Sequence, residues 1–168
     1  FAGAGRVAGA LCREMYRAGH KILQIVSESA TNGKPLAEYC RALWSQELIF
    51  NDPADIIIVA VPDNRLKEVL SGIRCPGNPV IAHTAGSYGL DLFPAALNRT
   101  GVFYPLQTFS LERTINFTDL PVLLEASGKD TGEILEKLAL SVKGKVQFID
   151  TEQRKKIHLA AVFVCNFT

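Results

Sequence analysis

The stretch FAGAGRVAGAL, residues 1–11, decides how the rest of the chain reads. Gly3, Gly5 and Ala8 set out the pattern G-x-G-x-x-A. In a strand-to-helix turn the first glycine permits the tight bend. The second lets a pyrophosphate approach the backbone, and a small third residue lets helix and sheet pack closely. Free N–H groups at the helix start, reinforced by the helix dipole, then hold the phosphates. Gly3, Ala4, Gly5, Arg6 and Val7 are therefore the expected backbone cradle. The pattern alone is generic, but its setting is informative. Val7, Leu11, Met15 and Ala18 follow on one helical face, Gly19 suits a left-handed helix end, and a β-rich run, Lys21 to Ser27, comes next.

Further along, SATNGKP reads as a turn and Leu36 to Leu43 as a helix. Asp55 to Val61 (DIIIVAV) is apolar on both faces, as a strand covered on both sides should be. Asp63 can cap the next helix, whose stripe is Leu66, Val69, Leu70 and Ile73. Pro79 to His83, Gly101 to Tyr104, Pro121 to Ala126 and Val146 to Asp150 read as strands. Asp130 with Glu133 resembles a capping box ahead of Ile134, Leu135, Leu138 and Val142. This alternation implies an α/β fold: a doubly wound, mostly parallel Rossmann sheet.

The end of the chain changes character. A helix is expected to begin between Asp150 and Gln153 and run to Thr168, apolar all round from Leu159 to Cys165, which requires burial. The expected organisation is a dinucleotide-binding domain over residues 1–150, its first strand reduced to Phe1 and Ala2, and the first helix of an all-helical C-terminal domain over 151–168. On that reading the chain is a fragment.

Composition narrows the function. Of the 168 residues, 48% are hydrophobic and 21% charged, the balance of a globular protein. A net charge of +1, with acids and bases scattered, gives no footprint for nucleic acid or an anionic membrane. The longest apolar runs fall far short of the ~20 residues of a membrane helix. Cys12, Cys40, Cys75 and Cys165 form no C-x-x-C pair and sit among apolar or helical neighbours, as reduced thiols of a cytoplasmic protein do. They suggest no metal site.

The run after Lys21 ends in Ser27-Glu28-Ser29, where a dinucleotide's ribose is read. Glu28 lies about 23 residues past Gly5, near the usual spacing. Its carboxylate would accept hydrogen bonds from a 2′-hydroxyl and repel a 2′-phosphate, and Ser27 is an equal candidate to face the ribose. Val61 and Pro62, closing DIIIVAVP, should border the same ligand, since ligands bind outside the carboxyl ends of the strands.

Together GAGRVAGAL, IIIVAVPDN, HTAGS, GVFYPLQTF and EQRKKIHLAAVFVCNFT resemble, over nearly the whole chain, a family of Rossmann-like candidate NADP oxidoreductases. Their C-terminal half is a domain of unknown function. That family is similar to prephenate dehydrogenase, pyrroline-5-carboxylate reductase and ketopantoate reductase. The resemblance implies an NAD(P)-dependent oxidoreductase acting on a small polar substrate in a cleft between the two domains, and a homodimer formed through the helical one. It also implies an arginine where this sequence has Glu28, which tilts the expected cofactor from NADP toward NAD.

Hydride transfer needs the nicotinamide against a substrate carbon and an acid near the reacting oxygen or nitrogen. HTAGS supplies His83, Thr84 and Gly86 to flank the nicotinamide, and Ser87 to reach the substrate. YPLQTF offers Gln107, with Tyr104 where the resemblance implies a histidine. The last helix carries His158 and Asn166, eight residues apart, hence ~80° around the axis and ~12 Å along it. His158, with an ordinary pKa near ~6.5, is the expected general acid and Asn166 a hydrogen-bonding partner. Lys155, between Arg154 and Lys156, reads as solvated charge. Two other functions share parts of this pattern. A non-catalytic NAD(P)-binding or redox-sensing module needs the turn but not the polar helix. An S-adenosylmethionine-dependent methyltransferase shares the fold but not a G-x-G-x-x-A running straight into a helix.

Overall fold

The computed structural model describes residues 1–109 and 115–167, with side chains as far as residue 163. In chain order the elements are α1 (Arg6–Arg17), β1 (Gln24–Val26), α2 (Ala30–Cys40), β2 (Leu43–Ser45), β3 (Ile56–Val59), α3 (Asp63–Gly72) and β4 (Val80–His83). After a single 3₁₀ turn at Leu90–Leu92 come β5 (Thr100–Pro105), β6 (Pro121–Ala126), α4 (Lys129–Ser141), β7 (Lys145–Phe148) and α5 (Thr151–Phe167).

Ala2 stitches the sheet together. It bridges Val26 of β1 and Val59 of β3, both in parallel, so the order is β2-β1-Ala2-β3-β4-β5-β6-β7. Everything as far as β5 is parallel. β6 then pairs antiparallel with β5, and β7 follows β6 in parallel. Register places Val59, His83, Val102 and Glu125 in one row across β3 to β6.

Both faces are covered, as the uninterrupted apolar strands require. On one side Leu11 and Met15 of α1, Leu36 of α2, and Leu135 and Leu138 of α4 pack on Ile58, Val80, Phe103 and Leu124. On the other, Leu66, Val69 and Leu70 of α3 meet Val26, Ile57, Val59 and Ile81. Cys12 and Cys40 lie buried with sulfurs 3.5 Å apart across α1 and α2, and burial pushes both thiols up from their ordinary range. Cys165 lies outside the described side chains.

The mostly parallel Rossmann sheet matches expectation, but several local readings are corrected. SATNGKP is not a turn: α2 already begins at Ala30, with Ser29 capping it by accepting the Asn32 N–H at 3.3 Å. Gly33 and Pro35 are weak helix formers. Gly33 is required for a different reason, because a Cβ there would strike the Ser27 hydroxyl and the Trp44 indole. The helix stops at Cys40 because Arg41 turns left-handed (φ 53°), and the chain returns as β2, a strand not anticipated. Asp63 is not the cap of α3, which is Pro62; it is the helix's first residue. Asp130 and Glu133 form no capping box, since α4 is preceded by Gly128 without a side-chain cap. Asp150 does start α5, accepting the Gln153 N–H at 2.7 Å. Within this chain, however, Leu159 and Phe163 are more than half exposed, because only the first turns of α5 reach the sheet. Among the described residues no helix is long and apolar enough to cross a membrane.

Candidate functional site

At Ala2 the connections diverge. β1 leads by α2 to β2 on one side, while β3 leads by α3 to β4 on the other, and a crevice opens where they part. A cleft of about 350 Å³ occupies this place, lined by Gly3, Ala4, Gly5, Ser27, Glu28, Val61 and Pro62 among others. Two glycines shape it differently. Gly3 has φ +109°, and a Cβ there would run into the Ala60 carbonyl, so the first turn residue must be glycine. Gly5 has an ordinary φ of −76°, and a Cβ there would meet nothing within 4 Å. The second glycine therefore leaves room for a ligand rather than for the fold.

Gly5 is also the N-cap of α1, with no side-chain cap and no acid in the first turn. The first N–H groups of that helix keep their unmet hydrogen-bonding capacity and positive dipole end at the cleft. An uncapped helix start beside an open glycine fits a pyrophosphate. Arg6 is exposed just beyond it, while Val7 turns away to pack on the core.

At the ribose-reading end Ser27 is already engaged. Its hydroxyl accepts from Trp44 Nε1 and donates to the Ser29 carbonyl, both at 3.1 Å. Ser29 is committed to capping α2. That leaves Glu28, highly exposed, as the group facing out, and its carboxylate is ion-paired with Arg65 of α3. The Arg65 Nε in turn lies 3.1 Å from Glu68.

The far end of the carboxyl edge is built by HTAGS, Tyr104 and α5. His83 is fully buried and stacked on Phe93, with ring centroids 5.3 Å apart. Its Nδ1 accepts the Ala85 N–H, so Nε2 carries the proton toward the Gly89 carbonyl at 3.4 Å. His83 thus holds the loop from inside instead of lining the cleft. Burial pulls its pKa down to about 4, the Gly89 bond opposing and Arg154 assisting. Because the unfolded chain takes up this proton near ~6.5 and the folded one does not, stability is full above that pH and falls toward pH 4, by about 3 kcal/mol. Urea unfolding at pH 7 and pH 4.5 should show this loss in the wild type and a clearly smaller one in His83→Gln.

Thr84 donates its N–H to the Val59 carbonyl (3.1 Å), binding loop to strand through the backbone. Ser87 Oγ donates to Asp63 Oδ2 at 2.8 Å, so Asp63 ties α3 to this loop. Gly86 admits His158, since a Cβ on Gly86 would sit 2.5 Å from the imidazole. His158 Nδ1 and Tyr104 Oη are 2.7 Å apart, both half-buried. Gln107 stays apart, exposed, its side-chain oxygen accepting the Thr108 N–H. Asn166 lies outside the described side chains. Lys155 is a surface charge paired with Glu152 at 3.0 Å.

Sequence reading missed the residue that holds this end together. Arg154, the first of three consecutive basic residues, is fully buried. It donates to Glu125 of β6 and to the Tyr88 carbonyl, each at 2.5 Å, and Thr151 also donates to Glu125. Two signals pointed to it. An acid within the apolar strand PVLLEA needs a buried partner, and Arg154 precedes His158 by one helical turn, on the same face.

A family model described as "Rossmann-like domain" matches residues 1–108. The chain belongs to the Rossmann-like domain family. A second model, a domain of unknown function (DUF2520), matches residues 120–168 of this Rossmann-like protein. No curated protein matches it. Among solved structures, a candidate NADP oxidoreductase from Bacteroides fragilis is 35% identical with a TM-score of 0.88, covering 99% of this chain and 65% of its own. A protein from Thermotoga maritima is 27% identical, with TM-score 0.77 and coverages of 99% and 63%. The chain thus spans somewhat under two thirds of either protein. Prephenate dehydrogenase from Aquifex aeolicus, in complex with hydroxyphenyl propionate and NAD+, shares the fold at 12% identity and TM-score 0.76, with coverages of 98% and 66%. The resemblance read from the motifs therefore holds, in the Rossmann-like domain, the domain of unknown function and these oxidoreductase neighbours.

Proposed function

We propose that this Rossmann-like protein is an NAD(P)-dependent oxidoreductase that transfers a hydride between a nicotinamide cofactor and a small polar substrate. The observation that carries the reading is the cleft at the sheet crossover, where the uncapped start of α1 faces the empty space beside Gly5. Gly3 to Gly5 would hold the pyrophosphate, Glu28 would face the adenosine ribose, and Val61 and Pro62 would border the cofactor. The nicotinamide, when bound, supplies or accepts the hydride. Around it the chain provides a proton donor: Tyr104 fixes the His158 ring through Nδ1, leaving Nε2 to exchange a proton with substrate. Ser87 lies alongside as a hydrogen-bonding group, with Asn166 further along α5 as a second one. NADH is the favoured form, since Glu28, Glu68 and Arg65 leave one net negative charge where a 2′-phosphate would lie. Association into a homodimer through α5 is supported by the exposed apolar stripe of Leu159, Val162 and Phe163.

Calorimetric titration of the purified protein with NADH, NADPH and S-adenosylmethionine tests the reading. NADH should bind with a dissociation constant in the micromolar range and S-adenosylmethionine should not bind. Failure of both dinucleotides at millimolar concentration removes the oxidoreductase reading.

A further inference from the structure

We propose that Arg65 is a 2′-phosphate-binding residue held in check by Glu28, so that this one ion pair sets the choice between NADH and NADPH. The inference rests on the nicotinamide-cofactor reading and adds the group that discriminates within it. Glu28 lies two residues beyond the end of β1, where the ribose is read, and Arg65 reaches it from the first turn of α3, across the cleft that both residues line. The Arg65 side chain is 41% exposed and that of Glu28 76%, so the pair is in contact with solvent and can exchange partners. Exposed ion pairs contribute little to stability, and exchange is correspondingly easy.

Arg65 already faces two carboxylates. Its Nη2 donates to Glu28 and, at 3.4 Å, to Glu68 Oε1, while the buried Nε lies 3.1 Å from Glu68 Oε2. A planar guanidinium released from Glu28 matches a phosphate, which can take two parallel N–H bonds. A 2′-hydroxyl, in contrast, leaves the pair undisturbed and donates to Glu28. NADPH must therefore displace Glu28 from Arg65, against its repulsion, before the phosphate can be bound. Neither neighbouring serine competes for this role, because Ser27 and Ser29 are engaged in holding α2 and Trp44.

The test is a double-mutant cycle read by calorimetry with NADH and NADPH, using wild type, Glu28→Gln, Arg65→Gln and the double variant. Both side chains are exposed enough that folding should survive, and a thermal melt of each variant checks it. Glu28→Gln should raise NADPH affinity about tenfold, by unmasking one charge-assisted contact. The same change in the Arg65→Gln background should raise it no more than about twofold, because only repulsion is relieved. Arg65→Gln alone should weaken NADPH binding about tenfold and leave NADH within about threefold. An equal gain from Glu28→Gln in both backgrounds would overturn the assignment of Arg65 while leaving the cofactor reading in place. A wild type that binds neither dinucleotide overturns the cofactor reading itself.

Discussion

Gly3→Ala is expected to destabilise the protein by about 3 kcal/mol, whereas Gly5→Ala should change stability by no more than about 1 kcal/mol and weaken dinucleotide binding tenfold or more. The two glycines stand two residues apart in one turn and fail for different reasons. At Gly3 an alanine would have to adopt φ +109° and press its methyl into the Ala60 carbonyl. Left-handed strain of ~1–2 kcal/mol and a comparable overpacking term add there. At Gly5 the backbone is ordinary and the space is open, so an alanine folds with only the small penalty of a poorer N-cap. Its methyl would then occupy the path by which a pyrophosphate reaches the α1 N–H groups. Urea midpoints and NADH calorimetry on the two variants separate the effects. A Gly3→Ala protein as stable as wild type would contradict the turn geometry, and undiminished NADH binding by Gly5→Ala would place the phosphates elsewhere.

The second large effect is expected at the Arg154–Glu125 pair. Arg154 is fully buried, so Glu125→Met strands a cation away from water and should destabilise by roughly 3–5 kcal/mol. Arg154→Met strands the carboxylate instead and frees the Tyr88 carbonyl, with a loss of similar size. The double variant Glu125→Met/Arg154→Met should be far more stable than the sum of the two losses predicts, because an apolar pair strands no charge, although the Tyr88 carbonyl and Thr151 hydroxyl still lose their partners. Chemical denaturation of the four proteins reads this coupling directly. Losses that simply add would mean that the two groups do not act as a pair.

Much of this arrangement was legible in the sequence because it rests on local rules. The G-x-G-x-x-A turn, the α1 stripe and the double-faced apolar run of β3 each announce their environment through spacing alone. What escaped depends on contacts between distant residues. Gly33 and Pro35 read as turn formers, because single-residue preferences do not reveal that Gly33 is there to admit Trp44. Leu43 to Ser45 is too short and too exposed to show strand periodicity. His83 looked like a ligand-facing histidine, and only tertiary packing shows both of its nitrogens serving the loop. Arg154 and Lys155 are adjacent basic residues, yet a 100° step around the helix puts one in the core and the other in water. Arg65 was missed for the same reason, since nothing local joins it to a glutamate 37 positions earlier.

The antiparallel turn between β5 and β6 has a consequence for how α5 travels. A helix that follows a strand ending at the carboxyl edge, as α1 and α3 do, starts at that edge and descends along the sheet. β7 runs the other way, so α5 starts lower, at the level of Glu125, and climbs. By His158 it has come level with Tyr104, two residues beyond the row of His83 and Val102. One reversal of strand direction therefore turns a packing helix into an ascending arm that delivers His158 to Tyr104.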